Sequence, residues 1–289
     1  MHPLLKIFVL IALLGAGTFL ASLCMIVIAV IQGIDITVFM NTLLSGEGEF
    51  PKSVLRGMLW AQAIAGFILP AFLFAWIFYR KQWLKYFELA TSPPLLTITF
   101  AIIALFAAYP LVQLSYEVNS ALPLPQWMTT LENNAVEILQ DILAMESVAS
   151  FLMTLLLVAI LPGIGEELVF RGILQRQFQE WTKRPVLSVW IAAIIFSAIH
   201  MQFEGFLPRV ALGALLGFVY LWSNNLWVPI IVHAVNNGVQ VAVLYISGVD
   251  LSDVEESSMR LNAWIILISV VVLYLCAKMI MKSKRTYGN

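Results

Sequence analysis

Two adjacent glutamates, Glu166 and Glu167, interrupt an otherwise apolar stretch of this sequence. Glu167 and Arg171 are four residues apart, so in a helix they share one face, with the acid on the N-terminal side as ion pairs favour. Glu166 points about 100° away from that face and has no partner at that spacing. The doublet therefore predicts one structural carboxylate and one free carboxylate. In an apolar cavity a free carboxylate is a strong base.

Two further apolar stretches each contain a histidine at helical spacing from a second residue of interest. Phe196 and His200 are four apart, so the phenyl ring can pack beside the imidazole. His233 and Asn237 are also four apart and present two polar groups on one helical face. A single histidine in a membrane helix commonly serves only as a hydrogen-bond partner between helices. Two histidines together with Glu166 and Asn237 indicate a functional site.

The composition explains why these polar residues stand out. Hydrophobic residues make up 61% of the sequence, charged residues 11%, and the mean hydropathy is +0.91, whereas soluble domains contain about 25% charged residues. A chain this apolar cannot present a polar surface to water, so we expect an integral membrane protein. No basic stripe is present, which argues against nucleic-acid binding. Cys24 and Cys276 lie in apolar runs and are interpreted as small hydrophobic residues.

Runs of about 20 apolar residues are long enough to cross a bilayer. By this rule the sequence predicts an all-α, polytopic helix bundle that forms a single integral membrane domain over 1–289, with a motif-bearing core at 148–248. Eight spans are predicted: 7–31, 54–79, 95–116, 148–172, 186–204, 208–226, 228–248 and 262–280.

The segment from Thr129 to Glu146 has a different pattern. Its apolar residues recur at helical spacing and its acidic residues fall on the other face, which predicts an amphipathic helix on the membrane surface. A capping box formed by Thr129 and Glu132 would begin this helix. The apolar positions are Leu131, Ala135, Ile138, Ile142 and Met145, and the acidic ones are Glu132, Glu137, Asp141 and Glu146.

Basic residues are divided unevenly between the two sides of the predicted bundle. Cytoplasmic segments carry an excess of Lys and Arg; with the N-terminus inside, they hold 12 of the 16 basic residues. The 117–147 loop, on the other side, contains none. We therefore expect both termini to be cytoplasmic, and the short loops and lack of a eukaryotic targeting signal predict a bacterial plasma membrane. The twelve are Lys6, Arg80, Lys81, Lys85, Arg171, Arg176, Lys183, Arg184, Lys278, Lys282, Lys284 and Arg285.

The fourth and fifth spans should form an antiparallel hairpin that turns near Lys183. Glu166 lies 17 residues before Lys183, and His200 lies 17 residues after it. Antiparallel helices would therefore bring the two side chains to a similar depth, which we expect to be toward the cytoplasmic side. His233 lies about two turns into the seventh span, which is compatible with the same depth.

The three motifs occur in a fixed order: Glu-Glu-x-x-x-Arg, then Phe-x-x-x-His, then His-x-x-x-Asn, within residues 163–237. In this respect the sequence resembles the CPBP family, the membrane proteins that include the CAAX prenyl proteases of the Rce1 type and bacteriocin-processing proteins. The resemblance implies eight membrane helices around a cavity open to the cytosolic side.

The resemblance also implies an intramembrane peptidase and a role for each motif residue. Glu166 and His200 would activate a water molecule, and His233 and Asn237 would stabilise the oxyanion, with Asn236 as a second candidate. Glu167 and Arg171 would brace the helix that carries the base. The partners would be the lipid bilayer and a membrane or membrane-proximal peptide or protein substrate, whether prenylated or not.

Three alternatives remain open from the sequence. Glu166, His200 and His233 could bind zinc and leave a position for water, although no His-Glu-x-x-His pair is present and no cofactor is required by the glutamate chemistry. The protein could instead be a non-catalytic membrane scaffold or bacteriocin-immunity protein on the same fold. A proton-coupled transporter could use the same buried carboxylate, but no inverted repeat of two halves is evident.

Overall fold

A computed structural model describes residues 1–45, 50–248 and 262–287. Ten helices occur in these ranges and no strand does, which confirms the all-α polytopic bundle. The helices are α1 (Pro3–Ile31), α2 (Ile36–Ser45), α3 (Lys52–Tyr86), α4 (Leu95–Ser120), α5 (Gln126–Leu143), α6 (Val148–Thr182), α7 (Pro185–Ala198), α8 (Phe206–Ser223), α9 (Trp227–Ser247) and α10 (Ala263–Tyr287).

Seven of these helices are long and apolar enough to cross a bilayer, namely α1, α3, α4, α6, α8, α9 and α10. The predicted fifth span, 186–204, differs because α7 has only 14 residues. At 1.5 Å per residue it is about 21 Å long, which is shorter than a hydrocarbon core of about 30 Å. The chain leaves α7 at Ile199 and turns at Met201, whose φ is +53°. The prediction of eight full-length spans is therefore wrong at this helix.

The helices α1 and α10 place both ends of the described chain at one end of the bundle. Lys6 donates a hydrogen bond to the hydroxyl of Tyr79 (2.9 Å) and lies 3.9 Å from a carboxylate oxygen of Glu180, near the turn between α6 and α7. Thr97, in the first turn of α4, donates to the hydroxyl of Ser283 (2.8 Å) in α10. If the short α7 is counted, eight of the described helices run between the two ends of the bundle.

The long helix α6 alternates between two helical forms around the glutamate doublet. The α-helical segment Leu161–Glu167 lies between the π-helical segments Leu155–Ile160 and Leu168–Gln175. Pro162 and the two glycines therefore do not break the helix. The glycines allow close packing instead, because a Cβ on Gly163 would lie 3.1 Å from the Ala234 nitrogen of α9, and one on Gly165 would lie 3.0 Å from Phe67 Cβ of α3.

The predicted amphipathic helix exists as α5 but begins earlier than expected. Its N-cap is Pro125, which provides no side-chain cap, and the hydroxyl of Thr129 donates to the carbonyl of Gln126 (2.9 Å). The predicted capping box is therefore wrong. Glu132 is buried rather than facing water, because it accepts hydrogen bonds from the backbone of the α7–α8 loop. The side chains of Leu131, Ala135, Glu137, Ile138 and Asp141 lie outside the described part.

Candidate active site

One cavity of about 290 Å³ brings the predicted site residues together. Glu166 reaches it from the middle of α6, His200 from the end of α7, and His233 and Asn237 from α9. Its other lining residues are Leu105, Tyr116, Phe196, Gly205, Pro208, Arg209, Leu212, Leu216, Asn236 and Gln240. The hairpin of α6 and α7 thus places Glu166 and His200 at a similar depth, as the spacing from Lys183 predicts.

The position of His200 is set by the residue one turn before it. Its Nδ1 lies 2.7 Å from the carbonyl oxygen of Phe196, and the two rings are 4.9 Å apart between centroids. Because a carbonyl only accepts hydrogen bonds, Nδ1 carries the proton, and Nε2 of the neutral ring is an acceptor. Phe196 therefore supports His200, and Nε2 is left to accept a hydrogen bond from water.

Glu166 is the carboxylate of the doublet that borders the cavity. Its Oε2 lies 3.8 Å from Nε2 of His233, and no hydrogen bond to its side chain occurs in the described ranges. The neighbouring Glu167 points away, as expected from the helical angle. The prediction of one free and one structural carboxylate is consistent with this geometry.

Glu167 and Arg171 form the predicted ion pair, with Arg171 Nη1 2.6 Å from Glu167 Oε1 and side chains that are 1% or less exposed. Arg171 also donates to the carbonyl of Gly213 in α8 (2.7 Å), and its guanidinium lies 5.0 Å from the ring centroid of Phe196. The pair therefore links α6 to α7 and α8, the helices that lead into and out of the His200 loop.

A contact that the sequence did not predict joins this ion pair to His233. Nδ1 of His233 lies 2.8 Å from Oε1 of Glu167, the same oxygen that Arg171 contacts. The two residues are 66 positions apart, and no helical spacing relates them. Since a carboxylate only accepts hydrogen bonds, Nδ1 is protonated. For Nε2 to donate as well, the ring must carry both protons.

Asn237 is held by a backbone carbonyl of α6. Its Nδ2 donates to the carbonyl of Val158 (3.1 Å). Val158 lies in the π-helical segment just before Pro162. Proline has no N–H to donate to the preceding turn, and a neighbouring helix can satisfy a carbonyl left in that turn. The amide oxygen of Asn237 accepts from Asn236 (3.0 Å), whose own oxygen accepts from Tyr109 (3.2 Å). The second N–H of Asn237 is left to face the cavity.

The three residues considered as zinc ligands do not form a ligand set. Within the described residues, no group of three His, Cys, Asp or Glu side chains is placed to hold one metal ion. Glu166, His200 and His233 line the same cavity, and the Nδ1 atoms of both histidines are engaged by protein oxygens. An engaged Nδ1 leaves Nε2 as the nitrogen that could bind a metal, so metal dependence is a matter for the chelator experiment, and none of the steps proposed below uses a metal.

Arg209 is a cavity residue that is not among the predicted site residues. It lies in the first turn of α8, and its guanidinium donates to the carbonyl of Gln202 (3.2 Å) and to the side-chain oxygen of the same residue (2.5 Å). No spacing relates Arg209 to the three motifs, so only the fold shows that it borders their cavity.

The region that builds this site matches a known family. Residues 148–239, from the start of α6 into α9, match the family described as type II CAAX prenyl endopeptidase Rce1-like. The resemblance to the CPBP family is therefore confirmed. All three motifs lie within this Rce1-like segment.

Two curated proteins are similar to part of this chain. Over 89 residues the chain is 30% identical to YpbD, an uncharacterized protein of Bacillus subtilis; the match covers 29% of this chain and 42% of that protein. Over 86 residues it is 27% identical to MroQ, a membrane-embedded CAAX protease of Staphylococcus aureus; the match covers 28% of this chain and 35% of that protein. The chain thus spans less than half the length of either relative in these matches. No solved structure matches the chain.

Proposed function

We propose that this protein is an intramembrane endopeptidase in which Glu166 and His200 activate a water molecule for attack on a peptide bond. The observation that carries this proposal is that the Glu166 carboxylate and the acceptor Nε2 of His200 border one cavity. The Rce1-like segment supports the peptidase class, since it contains both residues.

The chemical steps follow from the donors and acceptors in the cavity. A water molecule placed between Glu166 and His200 would donate one hydrogen bond to each, and Glu166 would take a proton as the water oxygen bonds to the carbonyl carbon. The C–N bond then breaks, and Glu166 returns that proton to the leaving amine nitrogen. The base is regenerated at the end of the cycle.

The negative charge that develops on the carbonyl oxygen needs donors across the cavity. Nε2 of a doubly protonated His233 and the remaining N–H of Asn237 are the groups available on α9. Preorganised donors of this kind stabilise the transition state more than the ground state. Glu167 Oε1 lies 2.8 Å from Nδ1 of His233 and would fix the orientation of that ring, so we assign Glu167 a positioning role besides its ion pair.

The cellular setting is part of the same proposal. The seven long apolar helices make this an integral membrane protein, and the two similar proteins, YpbD and MroQ, come from bacteria. We propose a bacterial plasma membrane, both termini in the cytoplasm, and a substrate that is a membrane or membrane-proximal peptide.

The experiment that tests the function compares Glu166→Gln with the wild type on a library of peptides in lipid nanodiscs, with cleavage measured by mass spectrometry. The amide keeps the size of the carboxylate but cannot take a proton from water, so we expect complete loss of cleavage with unchanged helicity and thermal unfolding. Glu180→Gln, an exposed glutamate near the α6–α7 turn, is the matched control and should cleave normally.

Two outcomes would reject parts of the proposal. Normal cleavage by Glu166→Gln would remove this residue from the chemistry. If the wild type cleaves no peptide and cells with Glu166→Gln show the same membrane peptides as wild-type cells, the non-catalytic scaffold or immunity function is favoured instead.

A further inference from the structure

The helices define one end of the bundle that is rich in basic residues. Trp227, at the start of α9, donates to the carbonyl of Leu89 (3.1 Å), and Arg176, near the end of α6, donates to the hydroxyl of Tyr220 (3.4 Å) near the end of α8. The starts of α1 and α4 and the end of α10 lie here too. We call this the basic end; its cations include Lys6, Arg80, Lys81, Lys85, Arg176, Lys183, Arg184, Lys278 and Lys282.

The opposite end, which we call the acidic end, contains the α7–α8 loop and the 117–147 segment. Asn119, in the last turn of α4, donates to the carbonyl of Phe203 (2.8 Å) and accepts from the Leu207 nitrogen (2.9 Å). Glu132 of α5 accepts from two backbone nitrogens of the same loop (3.0 and 2.9 Å). The 117–147 segment has no Lys or Arg. The described cations at this end are Lys52, which pairs with Glu146 (2.8 Å), Arg56 and Arg209, so they are fewer than the nine at the basic end.

The cavity is more exposed at the acidic end than at the basic end. On each of three helices that line it, the lining residue nearer the basic end is buried and the one nearer the acidic end is exposed or partly exposed. These pairs are Leu105 (1% exposed) and Tyr116 on α4, Leu216 (5%) and Arg209 on α8, and His233 (6%) and Gln240 on α9.

The protein between the site and the basic end is closely packed. Phe170 and Ile173 lie in the part of α6 that follows the glutamates, and Phe87 and Leu226 lie nearby. All four side chains are 3% exposed or less. A Cβ on Gly172 would lie only 2.7 Å from Phe87, so there is no space for a peptide along this side of α6. A substrate that reaches Glu166 from the basic end would have to displace this core.

From the two ends and the gradient of exposure we infer that the cavity opens at the acidic end, and that this end faces the non-cytoplasmic side. The basic end is cytoplasmic because Lys and Arg are retained there during membrane insertion. This inference rests on the proposed peptidase function only in calling the occupant a substrate. The substrate class is then a peptide presented on the outer face of the membrane, such as a translocated or exported segment.

This inference differs from the cytosolic opening that the family resemblance implies. A cytosolic opening and cytoplasmic termini cannot both hold in this fold, because the termini and the cavity mouth lie at opposite ends. The charge asymmetry involves nine described cations at one end, so we give it more weight than the resemblance.

Cysteine labelling tests the inference in intact bacterial cells. Cys24 and Cys276 are first replaced by alanine, and single cysteines are introduced as Gln240→Cys at the cavity mouth and Arg184→Cys at the basic end. Each variant is treated with a membrane-impermeant maleimide before and after permeabilisation. We expect Gln240→Cys to be labelled equally in both samples and Arg184→Cys only after permeabilisation.

Every other result overturns the inference. Labelling of Gln240→Cys only after permeabilisation would place the mouth in the cytoplasm, and labelling of both variants in intact cells would show that the ends are not on opposite sides. If Gln240→Cys is not labelled even after permeabilisation, the cavity has no mouth there. The same labelling in a Glu166→Gln background keeps this result independent of catalytic activity.

Discussion

The oxygen that Arg171 and His233 share allows a test of whether Glu167 does more than stabilise the fold. Glu167→Gln removes the carboxylate from both partners at once. Breaking a buried ion pair by removing one partner destabilises a protein by about 3–5 kcal/mol. Arg171 keeps its hydrogen bond to Gly213 and its contact with Phe196, so we expect the lower value, about 3 kcal/mol.

The same substitution should also slow the chemistry, because a neutral amide accepts a weaker hydrogen bond from Nδ1 than a carboxylate does and holds the His233 ring less firmly. If Nε2 is then no longer directed at the carbonyl oxygen, the loss is that of one oxyanion donor, about 10²–10³ in turnover. Arg171→Gln separates the two effects. It leaves Glu167 beside His233, so it should lower stability by a similar amount with a much smaller effect on turnover per folded molecule.

The decisive variant is the double substitution Glu167→Gln with Arg171→Gln. It contains no unpaired buried charge, so part of the stability should return, while turnover should stay low. Stability is measured by reversible denaturation in mixed micelles, and turnover is normalised to the folded fraction. Wild-type turnover in the double variant would refute the positioning role and leave Glu167 with a structural role alone.

Three further outcomes are expected. Asn237→Ala should lower turnover by about 10²–10³ and remove the partner of the Val158 carbonyl. Adding Pro162→Ala, which supplies a backbone N–H to the preceding turn, should raise the unfolding temperature again but not turnover. Recovery of both would assign Asn237 a purely structural role. Treatment of the purified enzyme with a chelator should leave peptide cleavage unchanged, whereas loss that zinc restores would move the site to the metal class. Compartment reporters at the C-terminus and near Glu132 should report opposite sides of the membrane, and finding them on one side would reject an even number of passes.

The sequence predicted the features that depend on local spacing. Glu167 and Arg171 pair because four residues make one turn of a helix, and the same spacing places Phe196 against His200. The hairpin depth of Glu166 and His200 follows from equal distances to one turn. Each of these rests on helical geometry within one or two neighbouring helices, which apolar patterning locates well.

The features that were missed depend on contacts between distant helices or on where a helix stops. The bond between Glu167 and His233 needs the approach of α6 and α9, which Gly163 makes possible. Hydropathy also extended the fifth span to residue 204, because Ile199 and Met201 are apolar, although the backbone turns there. Glu132 was assigned to a water-facing surface because its partners are backbone nitrogens, which no side-chain pattern reveals.

The short helix α7 has a consequence for the lipid around the site. Helix α7 is about 21 Å long, whereas its neighbours can cross the full hydrocarbon core of about 30 Å. Beside α7, part of the hydrocarbon thickness therefore has no apolar helix surface against it. Lipids next to a short hydrophobic segment thin to cover it, at a modest free-energy cost per ångström. The deficit lies at the end of α7 where His200 turns toward the cavity. We therefore expect the boundary between membrane and water to lie deeper in the bilayer beside α7. This brings the water needed for hydrolysis close to Glu166, although Glu166 lies midway along α6.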